Sequence, residues 1–109
     1  MITADQARAA ILSMPVVEET VLPTHSEFRV KGKLFARHWA GANLANLRVG
    51  AEEQAMLSSQ ARLYSIPREG VKGGWISVHL QNIPAAEFET AVWKAWANSA
   101  GPKLALQYS

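Results

Sequence analysis

Apolar residues recur along this chain with two periods, one typical of helices and one typical of strands. After Thr3, apolar positions return every three to four residues, which predicts an N-terminal helix. Thr3 with Gln6 forms a capping-box pattern at its start, and Pro15 ends it, because the residue before a proline avoids helical geometry. The buried stripe of this helix is predicted to be Ala7, Ala10, Ile11 and Met14.

Strand-like alternation dominates the middle of the chain. A hairpin is predicted at about 27–39, with Lys31-Gly32-Lys33 at its tip. The segment Val16 to Thr24 before it is interpreted as a connection. Further strands are predicted at 43–49, 62–66 and 75–80, with a short helix at 51–57 and a glycine-rich charged loop at 68–74.

A last helix is predicted from about Pro84 to Asn98. Its buried face is expected to consist of Phe88, Val92, Trp96 and Ser99. Three helices and five mostly antiparallel strands of these lengths predict an α+β, two-layer sandwich with the helices packed on one face of the sheet. The other face of the sheet is then left open.

Composition limits the class of protein. At 109 residues, with 49% hydrophobic and 18% charged content, the chain is expected to form a single globular domain over 1–109. No apolar run approaches the ~20 residues that cross a bilayer, so no membrane association is expected. The N-terminus lacks the pattern of a signal peptide, which favours a cytoplasmic location. Cysteine is absent, which excludes disulfides and thiolate chemistry.

Charge is distributed unevenly on a chain whose net charge is only +2. Residues 28–38 carry four cations and no acid, and residues 62–74 carry three cations against Glu69. The rest of the chain is therefore net negative. Such segregation can produce a one-sided positive field, and the two basic loops could then contact the phosphates of DNA. The alternative is that the charged, glycine-bearing hairpin tips are ordinary solvated turns, with lysines that protect sheet edges from aggregation. The candidate nucleic-acid-binding residues are Arg29, Lys31, Lys33, Arg37, Arg68 and Lys72.

Several short segments, in the right order, resemble the YjbR/MmcQ-like family of small bacterial proteins. The resemblance covers nearly the whole chain, and one departure is Val16-Val17, where the family usually has a glycine after the proline. The matching stretches are Leu12-Ser13-Met14-Pro15, Glu18-Glu19-Thr20, Phe28-Arg29-Val30, Gly32-Lys33-Leu34-Phe35-Ala36, Gly74-Trp75-Ile76-Ser77-Val78, Ala95-Trp96 and Pro102-Lys103-Leu104.

The resemblance implies an α-β(3)-α-β(2)-α fold similar to that of type III secretion chaperones. It also implies DNA binding, because the family is often labelled with a proposed double-wing motif, in which the two basic loops would grip phosphates. The similarity to secretion chaperones makes a homodimer or a protein partner the alternative. The family supplies no catalytic or metal-binding residues to carry over.

The register of the basic hairpin leaves two arrangements open. A three-residue loop would pair Val30 with Leu34 and place Phe35, with Arg29, Arg37 and Trp39, on the open face. That face, which Arg48, Trp75 and His79 could join, could stack single-stranded bases or bury itself in a dimer. A two-residue Lys31-Gly32 turn would instead pair Phe28 with Phe35 and leave both in the core. Trp39 and Trp75 are thus candidates for stacking or for an interface.

Nothing in the sequence predicts catalysis. Asp5 is the only aspartate and lies at a helix start, so no Ser-His-Asp set is present. His25, His38 and His79 show no metal-ligand spacing, and the glycines match no phosphate-loop pattern. We therefore expect a non-enzymatic protein without metal or cofactor. Its predicted function is DNA binding through the basic hairpins. Partner binding on the open sheet face and small-molecule binding in a tryptophan-lined pocket are the alternatives.

Overall fold

The structure, a computed structural model, describes residues 1–108 and has an α+β fold built on one antiparallel sheet. Six strands lie in the order β1-β2-β3-β4-β6-β5. The strands are β1 (Val17–Val21), β2 (Ser26–Val30), β3 (Lys33–Trp39), β4 (Leu44–Arg48), β5 (Tyr64–Ser65) and β6 (Trp75–His79). The helices are α1 (Ala4–Leu12), α2 (Ala51–Leu57), α3 (Ala85–Ala100) and α4 (Pro102–Gln107).

The predicted class is confirmed, but the sheet has six strands rather than five. The segment interpreted as a connection contains β1, which pairs with β2 along its whole length. The sequence pattern does not predict β1, because the helix-side position between Val17 and Val21 is Glu19 rather than an apolar residue. Arg8 on α1 explains the exception, since its Nη2 donates to Glu19 Oε1 at 2.6 Å. The fourth predicted strand, 62–66, is reduced to the two residues of β5.

The core lies between the sheet and α3. The predicted buried face of the last helix is confirmed, because Phe88, Val92, Trp96 and Ser99 are all buried. Trp96 is completely buried and its Nε1 donates to the carbonyl of Pro15 at 2.9 Å, so it joins α3 to the end of the first helical segment. Helix α4, which was not predicted, packs on α3. At six residues it is too short to show a helical stripe.

The hairpin between β2 and β3 resolves the register question with a bulge. Val30 pairs with Lys33 across a two-residue turn, in which Lys31 and Gly32 both have positive φ, as a type I′ turn requires. The pairing then shifts, so that Arg29 faces Leu34 while Phe28 faces Ala36. Phe35 is the extra residue, and it is fully buried.

Both predicted arrangements were therefore partly right. The turn has two residues, and Phe28 and Phe35 both belong to the core, but Phe28 does not pair with Phe35. Beyond the bulge the alternation is reset. Arg37 faces Glu27 across the pair and lies with Trp39 on the face of the sheet away from the core.

Val16 occupies the position at which the resembling family usually has glycine, and its backbone shows why glycine suits it. Its φ is 51°, in the left-handed region, and its side chain is 58% exposed. The left-handed region costs a non-glycine residue about 1–2 kcal/mol, while glycine loses about 0.5–1 kcal/mol in backbone entropy. We expect Val16→Gly to raise the free energy of unfolding by about 0.5–1 kcal/mol.

A denaturant titration of the two proteins measures this difference. Val21→Gly is the matched control, because Val21 is also an exposed valine but lies in regular β1. That variant should lose stability, since glycine weakens a strand. A Val16→Gly protein that is no more stable than the parent would contradict the expectation.

Candidate nucleic-acid interface

Both basic loops emerge at the same end of the sheet. The hairpin tip, residues 31–33, joins β2 to β3. The basic loop, residues 67–74, leads into β6. Ala36 on β3 pairs with Leu47 on β4, and Arg48 on β4 pairs with Trp75 on β6. The start of β3, the end of β4 and the start of β6 therefore lie at the same end of the sheet.

The basic loop is fixed to the body of the protein by a buried glutamine. Gln54 on α2 is 8% exposed, and its Nε2 donates to the carbonyls of Val71 at 3.1 Å and Trp75 at 2.9 Å. Arg48 Nε donates to the Gly73 carbonyl at 3.0 Å from the neighbouring strand. The backbone of the loop is thus held at both the helix and the sheet.

The six candidate cations divide into two groups. Arg29 and Arg37 share the carboxylate of Glu27, at 2.9 and 3.3 Å. The side chain of Glu27 is only 14% exposed, and the hydrogen bond from Arg29 is the main cause that keeps its pKa below the usual value. The negative charge of Glu27 therefore offsets part of the positive charge of both arginines. Within residues 1–108, no ion pair engages the other group, which consists of Lys31, Lys33, Arg68 and Lys72.

The open face carries three rows of side chains across the strands. The row nearest the basic loops contains Glu18, Arg29, Leu34, Arg48 and Trp75, so one carboxylate lies beside Arg29 in it. The middle row contains Thr20, Glu27, Arg37, Asn46, Ser77 and Ser65. The far row contains Trp39, Leu44 and His79. The structure thus places Arg29, Arg37, Trp39 and Trp75 on one face, while Phe35 lies in the core.

Each tryptophan of this face is partly covered by neighbouring residues. Trp39 stacks on His25, with ring centroids 5.0 Å apart, and the Arg37 guanidinium carbon lies 5.4 Å from the Trp75 ring centroid. Gly70 and Gly73 also pack against Trp75, because a Cβ on either would lie within 3.0 Å of its side-chain atoms. Both tryptophans are half-buried. Each ring therefore has packing contacts within the protein alone.

A pocket of about 330 Å³ opens between the two tryptophans. Arg37, Asn46 and the tryptophans contribute from the sheet, and the start of the basic loop contributes from above. We call it the Trp39–Trp75 pocket. It is lined by Arg37, Trp39, Asn46, Pro67, Arg68, Glu69, Gly70 and Trp75.

The three histidines occupy different parts of the fold. His38 is 5% exposed on the helix side of β3, and burial lowers its pKa, because desolvation disfavours the charged imidazolium. His25 and His79 belong to the open face or its edge. Across residues 1–108 no group of three or more His, Asp or Glu side chains is arranged to hold a metal ion.

Sequence reasoning missed the residues that organise this surface. Glu27 lies just outside the basic segment, and only strand pairing brings it between Arg29 and Arg37. Asn46 has a signal in the sequence, since it alternates with the buried Ala45 and Leu47, but nothing there places it beside Trp39 and Trp75. Gln54 had no signal as a buried anchor.

Comparison with known proteins agrees with this architecture. The family model described as YjbR matches residues 12–98, which is most of the chain. The chain belongs to the YjbR family. The resemblance noted in the sequence is thereby confirmed, and no curated protein matches the chain.

A solved structure shares the fold of this YjbR protein. It is the crystal structure of Deinococcus radiodurans protein DR2400, which is described as a DUF419 domain. The TM-score is 0.77 at 19% sequence identity, over 98% of this chain and 87% of that one. At this identity the likeness shows the fold alone. Within residues 1–108 of the YjbR protein, no helix is long and apolar enough to cross a membrane.

Proposed function

We propose that this YjbR protein binds nucleic acid without catalysing a reaction. The binding surface is the basic end of its open sheet face, which carries the hairpin tip (31–33) and the basic loop (67–74). The observation that carries the proposal is that two basic loops lie at the same end of the sheet, with four cations that form no ion pair within residues 1–108. Lysine and arginine contacts to phosphates supply most of the affinity of non-specific nucleic-acid binding.

The neighbouring surface supports the same partner. Behind the loops lie Arg37 and the two half-buried tryptophans, a combination of positive charge and aromatic rings that suits nucleic acids. The label of the family, a proposed double-wing DNA-binding motif, points in the same direction. Partner binding on this face is the second candidate, but neither Trp39 nor Trp75 belongs to the strongly exposed hydrophobic residues.

The proposal predicts binding that weakens steeply with salt. If Lys31, Lys33, Arg68 and Lys72 each contact one phosphate, the slope of log K against log salt should be about −3.6 on duplex DNA and about −2.8 on a single strand. Fluorescence anisotropy of labelled oligonucleotides, titrated from about 50 to 200 mM salt, measures this slope.

Paired variants identify the contacts. Lys31→Ala with Lys33→Ala, and separately Arg68→Ala with Lys72→Ala, should each make the duplex slope shallower by about 1.8. The matched control is Arg62→Ala with Lys103→Ala, which removes the same charge away from the basic end. Absence of binding at about 50 mM salt, or equal effects of all three pairs, would refute the proposal.

A further inference from the structure

The Trp39–Trp75 pocket, rather than the loops, carries information about the kind of nucleic acid. Its volume of about 330 Å³ lies at the lower end of the range of about 300–1,000 Å³ that small-ligand pockets occupy. A unit the size of one nucleotide therefore suits it. The bases of a duplex stay stacked inside the helix and cannot enter, whereas an unpaired base can leave its neighbours at modest cost.

We propose that this pocket receives one unpaired base, so that the protein prefers single-stranded over duplex nucleic acid. This inference rests on the proposed function, since it names the ligand class of the same surface. The two tryptophans provide aromatic surfaces, and stacking of a base on such a surface contributes about 1–3 kcal/mol. Because His25 and Arg37 already hold the rings in place, little ordering remains to be done on binding.

The polar atoms of the pocket are arranged to donate. Ser77 Oγ donates to Asn46 Oδ1 at 2.7 Å. Because this bond uses the amide oxygen, the amide nitrogen is the group of Asn46 that is left to donate to a ligand. Arg37 and Arg68 add guanidinium donors at the side of the pocket. Base carbonyls and phosphate oxygens are acceptors, so they complement these groups. Glu69 is the one carboxylate in the lining, and it is exposed.

The open position of the pocket fits a strand better than an isolated small molecule. The pocket lies directly below the start of the basic loop, so a base inside it leaves its own phosphate near Arg68. The adjoining phosphates can then follow the sheet edge toward Lys72 and the hairpin tip. Binding should therefore increase with oligonucleotide length until both loops are engaged.

The experiment compares a single-stranded oligonucleotide, the matching duplex and a mononucleotide on the full chain. We expect the single strand to bind more tightly than the duplex at equal salt and the mononucleotide to bind weakly. Trp39→Leu should weaken single-strand binding about 5- to 150-fold and leave duplex binding within twofold. Circular dichroism and thermal melting establish that the variant is folded.

Asn46→Asp provides a second variant that keeps the size of the side chain and the acceptor for Ser77. It replaces the amide donor by a carboxylate oxygen, so it should weaken single-strand binding at least fivefold, and duplex binding much less. Lys31→Ala with Lys33→Ala is the contrast, because loss of phosphate contacts should weaken both forms alike.

The outcomes separate the inference from the proposed function. Equal binding of both forms, with no effect of Trp39→Leu or Asn46→Asp, overturns the inference and leaves nucleic-acid binding intact. No binding of either form overturns both. Tight mononucleotide binding without a length dependence identifies a small-molecule site instead. A dimer in light scattering that Trp39→Leu dissociates identifies the face as a protein interface, and this also overturns the inference.

Discussion

Replacing Trp96 by alanine should lower the free energy of unfolding by about 3–5 kcal/mol. Trp96 is completely buried on α3, stacks on Trp93 with centroids 5.4 Å apart, and donates its Nε1 hydrogen to the Pro15 carbonyl. The substitution removes the largest fully buried side chain, leaves a cavity and deprives that carbonyl of its donor. Small domains have only about 5–15 kcal/mol in total, so the loss is severe.

A urea titration measures the effect, provided that the slope of the unfolding free energy against urea concentration is the same in both proteins. Trp96→Phe is the graded control, because it keeps an aromatic ring in the core but cannot donate to Pro15. We expect it to lose about 1–3 kcal/mol, mainly the cost of the unpaired carbonyl and a smaller cavity. A Trp96→Ala protein within 1 kcal/mol of the parent would show that the helix does not depend on this anchor.

Gly74→Ala should lose about 2–5 kcal/mol and disturb the basic loop. Gly74 has a φ of 73°, and a Cβ on it would lie 2.6 Å from both the carbonyl carbon and the Cα of Gly50. The left-handed backbone costs a non-glycine residue about 1–2 kcal/mol, and forced overpacking adds about 1–3 kcal/mol. The backbone segments at Gly50 and Gly74 cannot move apart freely, because Gly50 N donates to the Gly74 carbonyl at 3.0 Å.

Two other glycines divide this cost into its parts. Gly32 also has a positive φ, of 76°, but open space surrounds its Cβ position, so Gly32→Ala reports the backbone cost alone. Gly41 has neither constraint, and Gly41→Ala should stay within about 0.5 kcal/mol of the parent. Thermal melting of the three variants tests the order Gly74, Gly32, Gly41. If Gly74→Ala is no worse than Gly32→Ala, the contact with Gly50 is not a tight one.

The charge pattern shows how far a linear segment can mislead about a surface. The segment 28–38 has four cations and no acid, yet two of those cations face Glu27, one residue outside it. Strand pairing joins residues that are 10 positions apart, as with Arg37 and Glu27. The free positive charge is consequently concentrated in the loops rather than spread over the sheet, and the proposed phosphate contacts follow from that distribution.

Local patterns by themselves determined the α+β class, the first and last long helices, the buried face of α3 and the positions of both basic loops. Each of these depends on residues within one or two turns or on strand alternation, and such short-range preferences are written directly in the sequence. The family followed from the same short segments. The Val16 departure also has a local basis, since its positive φ belongs to a single turn.

Tertiary structure alone decided what the candidate site looks like. The sequence pattern does not predict β1, because Glu19 is a charged residue on the helix side of the strand, and only the folded structure places Arg8 beside it. Because of the bulge at Phe35, its ring lies in the core, and Arg37 and Trp39 lie on the open face. A shift of one residue reverses the faces of a strand, and its outcome depends on packing across the whole sheet. For that reason the pocket between Trp39 and Trp75 could not be read from the chain before it was folded.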